Sequence, residues 1–359
     1  MKKIWLLAVS VFSVFILAGC NLEADLKIYL PNDYINKDVV RAFEKETGKK
    51  VALVTFDSNE VALSQVKVNS YDVVIPSDYG IEELAKENYL QKIDWTKIEA
   101  LNKETDLNEG LKTQLELLKT DGGHGFDFLE YAVPYFWGSL GLLYNSSVEG
   151  LEEKVKSQGW SILADQTLET MIYDSSRDAF MAALAKDNIR LDEATDAQIK
   201  AAKEWLISAK GKKTSIKSDE ILDEAIGGKT PYDVAMVYSG DAVYIMQETE
   251  SYKYYAPELT NIWIDGFVIP QNAKNPELAY EFINYLSSYD ANLENTAEIG
   301  YTSPRSDVVL ELLETDEFKE ERIASTFKVE GIVQSQFFRY NNKLKESLVD
   351  AWGEVKASR

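Results

Sequence analysis

Carboxylates and aromatic rings stand side by side at four places in this 359-residue chain. They are Pro31-Asn32-Asp33-Tyr34, Ser77-Asp78-Tyr79, Tyr238-Ser239-Gly240-Asp241 and Ile262-Trp263-Ile264-Asp265. Side chains alternate along an extended strand, so Trp263 and Asp265 project to one side. A carboxylate beside an indole face suits an alkylammonium group. The acid accepts charged hydrogen bonds, and the ring adds about 1–2 kcal/mol once water is excluded. Ser77 and Tyr79 share the same i, i+2 relation. Two other chemistries can be written on these residue types. Asp241 and Asp265 could serve as the paired carboxylates of a glycoside hydrolase. Tyr254-Tyr255 could offer oxygen ligands to a hard ferric ion.

Much else is excluded. The chain has one histidine, His124, and one cysteine, Cys20. Metal sites built on His and Cys clusters are therefore ruled out, and neither a metal nor a cofactor is expected. A nucleophile–histidine arrangement would have to use His124. That residue sits in Asp121-Gly122-Gly123-His124-Gly125, a glycine-rich stretch that gives a catalyst no rigid platform, and it reads as a solvated loop residue. The formal charge of −22 repels nucleic acid and attracts cations.

The elements that must position the candidates alternate in type. Leu26 to Leu30 reads as a strand, Lys37 to Thr47 as a helix closed by Gly48, Val51 to Phe56 as a strand, and Tyr71 to Pro76 as another. That β-α-β-α-β order predicts a parallel sheet covered by helices. Ser77 or Asp78 can cap the helix that follows. The theme recurs with a strand at Met171 to Tyr173, a helix beginning near Ser175, and a helix that Asp196 could cap. A strand at Val234 to Tyr238 follows, then another at Gly266 to Pro270. Asn275-Pro276 carries the start signal of a helix. Two α/β lobes without a linker imply that the chain crosses between them more than once. Ligands in such sheets bind beyond the carboxyl ends of strands, where the acid–aromatic clusters fall.

The N-terminus addresses the chain outward. Lys2 and Lys3 precede an apolar run from Ile4 to Leu17, shorter than the roughly 20 residues of a membrane span. Basic start, short apolar stretch and small residues describe a secretory signal over 1–19. Leu17-Ala18-Gly19-Cys20 is similar to a lipobox, which would make Cys20 the lipidated first residue of the exported protein.

Together these segments resemble the substrate-binding proteins of spermidine/putrescine ABC importers. The resemblance is carried by Asp33-Tyr34, Tyr71-Asp72-Val73-Val74-Ile75-Pro76-Ser77-Asp78-Tyr79, Val133-Pro134-Tyr135-Phe136-Trp137-Gly138 and Ile262-Trp263-Ile264-Asp265-Gly266. It continues through Ile269-Pro270-Gln271-Asn272-Ala273-Lys274-Asn275 and Ile299-Gly300-Tyr301-Thr302-Ser303-Pro304. It implies a type II periplasmic-binding-protein fold: two α/β lobes, a central cleft and several hinge crossovers. The lobes are expected over 26–134 plus 266–322, and 135–265 plus 323–359. The implied function is capture of a polyamine outside the cell and its delivery to membrane permease subunits, by a monomer held to the membrane through lipid on Cys20, with no bond made or broken.

The resemblance also assigns roles. Trp263 and Asp265 would hold an ammonium end, and Tyr34, Tyr79 and Tyr301 would line the methylene channel, with Ser77 and Asp33 as polar contacts. Asp241 matches an acid of putrescine-type members, and Asp178 falls where spermidine-type members place a glutamate. Tyr238 stands where the family usually has tryptophan. Pro31 replaces a stacking tryptophan, and Ser175 a second acid of spermidine binders.

Overall fold

The computed structural model describes residues 24–120, 125–218, 220–225, 231–327 and 334–358. The expected signal segment, Cys20 and His124 lie outside these residues.

Three parallel strands begin the fold: β1 (Leu26–Pro31), β2 (Val51–Phe56) and β3 (Val73–Val74), in the order β2-β1-β3. The helix Lys37–Thr47 connects the first two. Asn36 caps it by accepting the Asp38 amide, and Gly48 ends it at φ 71°, a left-handed conformation that glycine adopts without a Cβ penalty. Its apolar face buries Val39, Val40 and Phe43 against the sheet. The β-α-β-α-β order thus yields the parallel sheet its sequence predicts. The third strand is shorter than the Tyr71–Pro76 run, because its continuation leaves β1 and makes isolated bridges to the late chain at Val74–Val268 and Ser77–Asp265.

A second sheet contains β4 (Val133–Asn145), β5 (Thr170–Tyr173), β6 (Thr214–Lys217), β7 (Val234–Tyr238), β8 (Tyr252–Tyr255), β9 (Leu259–Phe267) and β10 (Gln334–Gln336). Its order is β10-β9-β4-β7-β5-β6, with β8 also on β4. The 13-residue β4 joins the two halves. Val133 to Ser139 pairs with β9, whereas Leu140 to Tyr144 pairs with β7.

Burial follows the same division. Tyr135, Phe136 and Trp137 of β4 and Ile262 to Phe267 of β9 pack with β1–β3 in one hydrophobic cluster. Leu140, Leu142 and Tyr144 enter a second cluster, and Leu143 a third, on the opposite face of the second sheet. Alternation carries successive side chains to opposite faces, and because both are covered, β4 is buried almost throughout. The result is two α/β lobes of the periplasmic-binding type, joined by shared strands without a linker. The stretch 266–322 does not pack as one block. Phe267 to Ala291 belong to the first cluster, but Val308, Val309, Leu312 and Phe318 fill the third.

Helix starts show where local signals compete. Ser175 caps Ser176–Ala185, accepting the Asp178 amide. Thr195, not Asp196, caps Asp196–Ala209, because Thr195 and Gln198 form a reciprocal capping box that satisfies two orphan donors. Among the described residues no helix is long and apolar enough to cross a membrane.

Candidate functional site

The candidate residues are delivered by strands and by the helices that adjoin them in both lobes. Tyr34 follows β1, and its backbone is fixed by Tyr135, whose hydroxyl donates to the Tyr34 carbonyl at 2.6 Å. Asn295 donates in turn to Tyr135 at 3.0 Å. Ser77 precedes the helix Asp78–Lys86 and is held by Asn59, which accepts from the Ser77 amide and donates to its hydroxyl, both at 3.0 Å. Of the two expected caps Ser77 holds the N-cap position without a side-chain cap bond, and Asp78 is the first helical residue. Its carboxylate accepts the Tyr79 amide at 2.6 Å and the Ile264 amide at 3.1 Å, so it fixes β9 between Trp263 and Asp265.

Trp263 and Asp265 project to one side of β9, as strand alternation requires. The Tyr34 hydroxyl donates to Asp265 Oδ2 at 2.6 Å. A file of rings leads away from this pair. Tyr34 meets Tyr301 at 5.5 Å between centroids, Tyr301 meets Trp263 at 5.1 Å, and Trp263 meets Tyr238 at 5.9 Å, all edge to face. The Tyr238 hydroxyl then donates to Asp178 Oδ2 at 2.9 Å. From the middle of the file Tyr301 donates to Asp241 Oδ1 at 2.6 Å. The arrangement is therefore an aromatic wall with a carboxylate at each end and a third midway. Gly138 and Gly240 leave room for it: a Cβ on the first would overlap the Trp263 indole, and one on the second the Tyr301 ring.

The two terminal acids are buried, Asp178 at 2 % and Asp265 at 6 % exposure. In each, one oxygen takes a tyrosine hydroxyl while the other, Oδ1, accepts no hydrogen bond from the protein. The buried Trp263 Nε1–H also has no protein acceptor. Burial pushes both carboxyl groups up to about 6. For Asp265 the hydroxyls of Tyr34 and Ser77 act the other way. For Asp178 the hydroxyls of Ser175 and Tyr238 oppose the rise, and Glu60 adds to it. Burial, reinforced by the adjacent acids, raises the phenols of Tyr34 and Tyr238 well above their usual range, so they stay protonated donors. A buried carboxylate oxygen without a donor is costly, and a charged N–H group would satisfy it best.

Tyr34, Ser77, Tyr79, Asp178, Tyr238, Asp241, Trp263, Asp265 and Tyr301 thus form one cluster of mutual contacts. Asp33 does not join them. It turns away at φ 47°, its side chain is 93 % exposed, and it faces Lys37 at 4.0 Å. Two residues beyond the sequence-based set do join. Glu60 accepts from the Tyr79 hydroxyl at 3.3 Å and from Arg177 Nε at 3.5 Å. Glu60 follows β2, so the rule that singled out the other strand ends also points to it, and Arg177 immediately precedes Asp178.

The competing chemistries find little support. Tyr254 packs in the third cluster, where its hydroxyl donates to the Ser139 carbonyl at 3.0 Å, while Tyr255 packs against the second cluster. Neighbours on a strand face opposite ways and cannot share an ion. Among the described residues no group of His, Cys, Asp and Glu could hold a metal. Asp241 and Asp265 bind different tyrosines of one aromatic wall.

Comparison with known proteins finds relatives over most of the chain. Residues 38–326 match the family described as bacterial extracellular solute-binding protein. The spermidine/putrescine-binding periplasmic protein of Salmonella typhimurium is 29 % identical over 293 residues, covering 78 % of this chain and 77 % of that one. The putrescine-binding periplasmic protein SpuD of Pseudomonas aeruginosa is 29 % identical over 306 residues, 78 % of each. Among solved structures, a spermidine/putrescine ABC transporter protein from Listeria monocytogenes superposes with a TM-score of 0.78 at 28 % identity, covering 93 % of this chain and 99 % of that one.

Proposed function

The chain belongs to the bacterial extracellular solute-binding protein family, and from that membership we propose that it captures a polyamine outside the cell and hands it to an ABC importer. One observation carries the reading: two buried carboxylate oxygens without a donor stand at the two ends of an aromatic wall. A polyamine is cationic at its ends and apolar between them. Its ammonium groups supply the missing donors at Asp265 and Asp178, and its methylenes lie along Tyr34, Tyr301, Trp263 and Tyr238. Relatives whose names specify spermidine or putrescine support the same ligand class. The protein is a binding component and catalyses nothing.

In this reading ligand binding draws the lobes together, and the dividing line between them falls between Ala291 and Val308 instead of at 322. The exported protein is a monomer that docks on permease subunits, tethered to the outer face of the cell membrane by lipid on Cys20. Thermal unfolding of the purified protein with putrescine, cadaverine, spermidine, spermine, Fe(III) and simple sugars tests the proposal. A ligand that binds only the folded state raises the melting temperature. A rise with a polyamine, abolished in Asp265→Ala, is expected. A rise with iron or a sugar, and none with any polyamine, would sink it.

A further inference from the structure

Resting on the polyamine reading above, we infer that the site takes a diamine and that Arg177 is the residue that closes it to a third ammonium. The Tyr79 ring face, close to Asp178, is already occupied by a cation of the protein itself. Arg177, 3 % exposed, lays its guanidinium 4.2 Å over the Tyr79 ring, with Phe338 at 6.0 Å. Its Nε donates to Glu60 Oε1 at 3.5 Å, the oxygen that also accepts the Tyr79 hydroxyl at 3.3 Å. A ring face and a carboxylate are what an ammonium group seeks. Tyr79 and Glu60 together make such a receptor, and Arg177 fills it.

The remaining acids agree. Asp241 hangs from the middle of the aromatic file, where it accepts the Tyr301 phenol at 2.6 Å. Asp178 and Asp265 alone among the four cleft acids carry a buried oxygen with no donor. They call for two ammonium groups, one at each end. A triamine long enough to pass Asp178 brings its extra charge against the Arg177 guanidinium. Like charges at such range in a partly desolvated cleft cost about tenfold or more in affinity.

Isothermal titration of the purified protein with putrescine, cadaverine and spermidine tests this, together with Arg177→Met, Arg177→Lys, Glu60→Gln and the double variant Arg177→Met/Glu60→Gln. The natural protein should bind a diamine about tenfold or more tighter than spermidine. In Arg177→Met the spermidine-to-diamine affinity ratio should rise about tenfold, because Glu60 is freed to accept the third ammonium. The double variant should lose that gain, and Arg177→Lys should keep the natural ratio. Should Arg177→Met not fold, Glu60→Gln reads the same effect in reverse: Arg177 loses its neutralising partner, so the spermidine-to-diamine affinity ratio falls. If Arg177 merely ties the lobes together, its loss weakens every amine by one factor and leaves the ratio fixed, which overturns the inference. A natural protein that prefers spermidine overturns it too, with the polyamine reading intact. If no polyamine binds the natural protein, that reading falls and takes the inference with it.

Discussion

Acid should empty this cleft. Burial pushes the carboxyl groups of Asp178 and Asp265 up to about 6. An ammonium group binds their charged forms, so each carboxyl group that must first lose a proton subtracts from affinity. One pH unit below its pKa a group costs about tenfold, so the two together cost about a hundredfold at pH 5, or about 3 kcal/mol. Near about pH 7.5 the loss is negligible, and well below pH 6 log Kd should approach a slope of about two per pH unit. Isothermal titration with the preferred amine at constant ionic strength, in steps from about pH 7.5 to about pH 5, measures this. Asp265→Asn should reduce the limiting slope to about one while weakening binding at every pH. The ligand-free protein should respond in the opposite sense. Both acids have folded pKa values raised above the usual 3.8, so their destabilisation is present above pH 6 and is relieved as pH falls through the folded value. Glu152 and Asp165, held down to about 2 by their lysine partners, withdraw stability only at lower pH, as their carboxylates are forced to protonate. A Kd that moves less than about threefold between about pH 7.5 and about pH 5 would refute the assignment of both acids to the ammonium groups.

Two further outcomes follow from particular residues. Gly240→Ala puts a Cβ into the Tyr301 ring and must push that ring off Trp263 and Asp241. Such overpacking costs about 1–3 kcal/mol, so titration calorimetry should show amine affinity down about tenfold or more, with the protein still folded by circular dichroism. Cys20→Ala should move the protein from the membrane pellet to the soluble fraction and abolish incorporation of labelled fatty acid; a variant that still pellets and labels would disprove the anchor.

What the sequence made legible was local. Lys37–Thr47 and its terminating Gly48 are readable because cap, stripe and stop all lie within thirteen residues of one another. The start of Asp196–Ala209 was displaced by one residue because Thr195 and Asp196 are both good caps, and only the reciprocal bond to Gln198 decides between them. The strand carrying Trp263 and Asp265 is Leu259–Phe267, not a shorter one from Gly266. Val268 leaves it to bridge β3, a partner nearly two hundred residues away in the chain, about which periodicity carries no information. The same limit governs the site. Trp263, Asp265, Tyr34 and Tyr301 lie in mutual contact, yet strand alternation says nothing once the strand stops, and Asp33 turns out to solvent at φ 47°. Glu60 and Arg177 are 117 residues apart, so their pairing belongs to the tertiary fold alone.

The placement of the two terminal acids also bears on how such a protein switches. Asp265 sits on β9 within the first cluster, whereas Asp178 lies on a helix of the second. Both are out of water here, and a shift from 3.8 to about 6 corresponds to about 3 kcal/mol for each carboxylate at neutral pH. The pair therefore weighs, by up to about 6 kcal/mol, against any ligand-free arrangement that buries both. Moving a two-state equilibrium from about 1:99 to about 99:1 needs about 5.5 kcal/mol. Relief of these two charges is by itself of the size needed to swing the lobes from open to closed. A ligand can exert that bias only through what it does differently in the two states. Charge at one end relieves one acid and supplies about half of the bias. Closure then asks for a molecule charged at both ends, and the tyrosine hydroxyls already bound to each acid ensure that a single ammonium completes it.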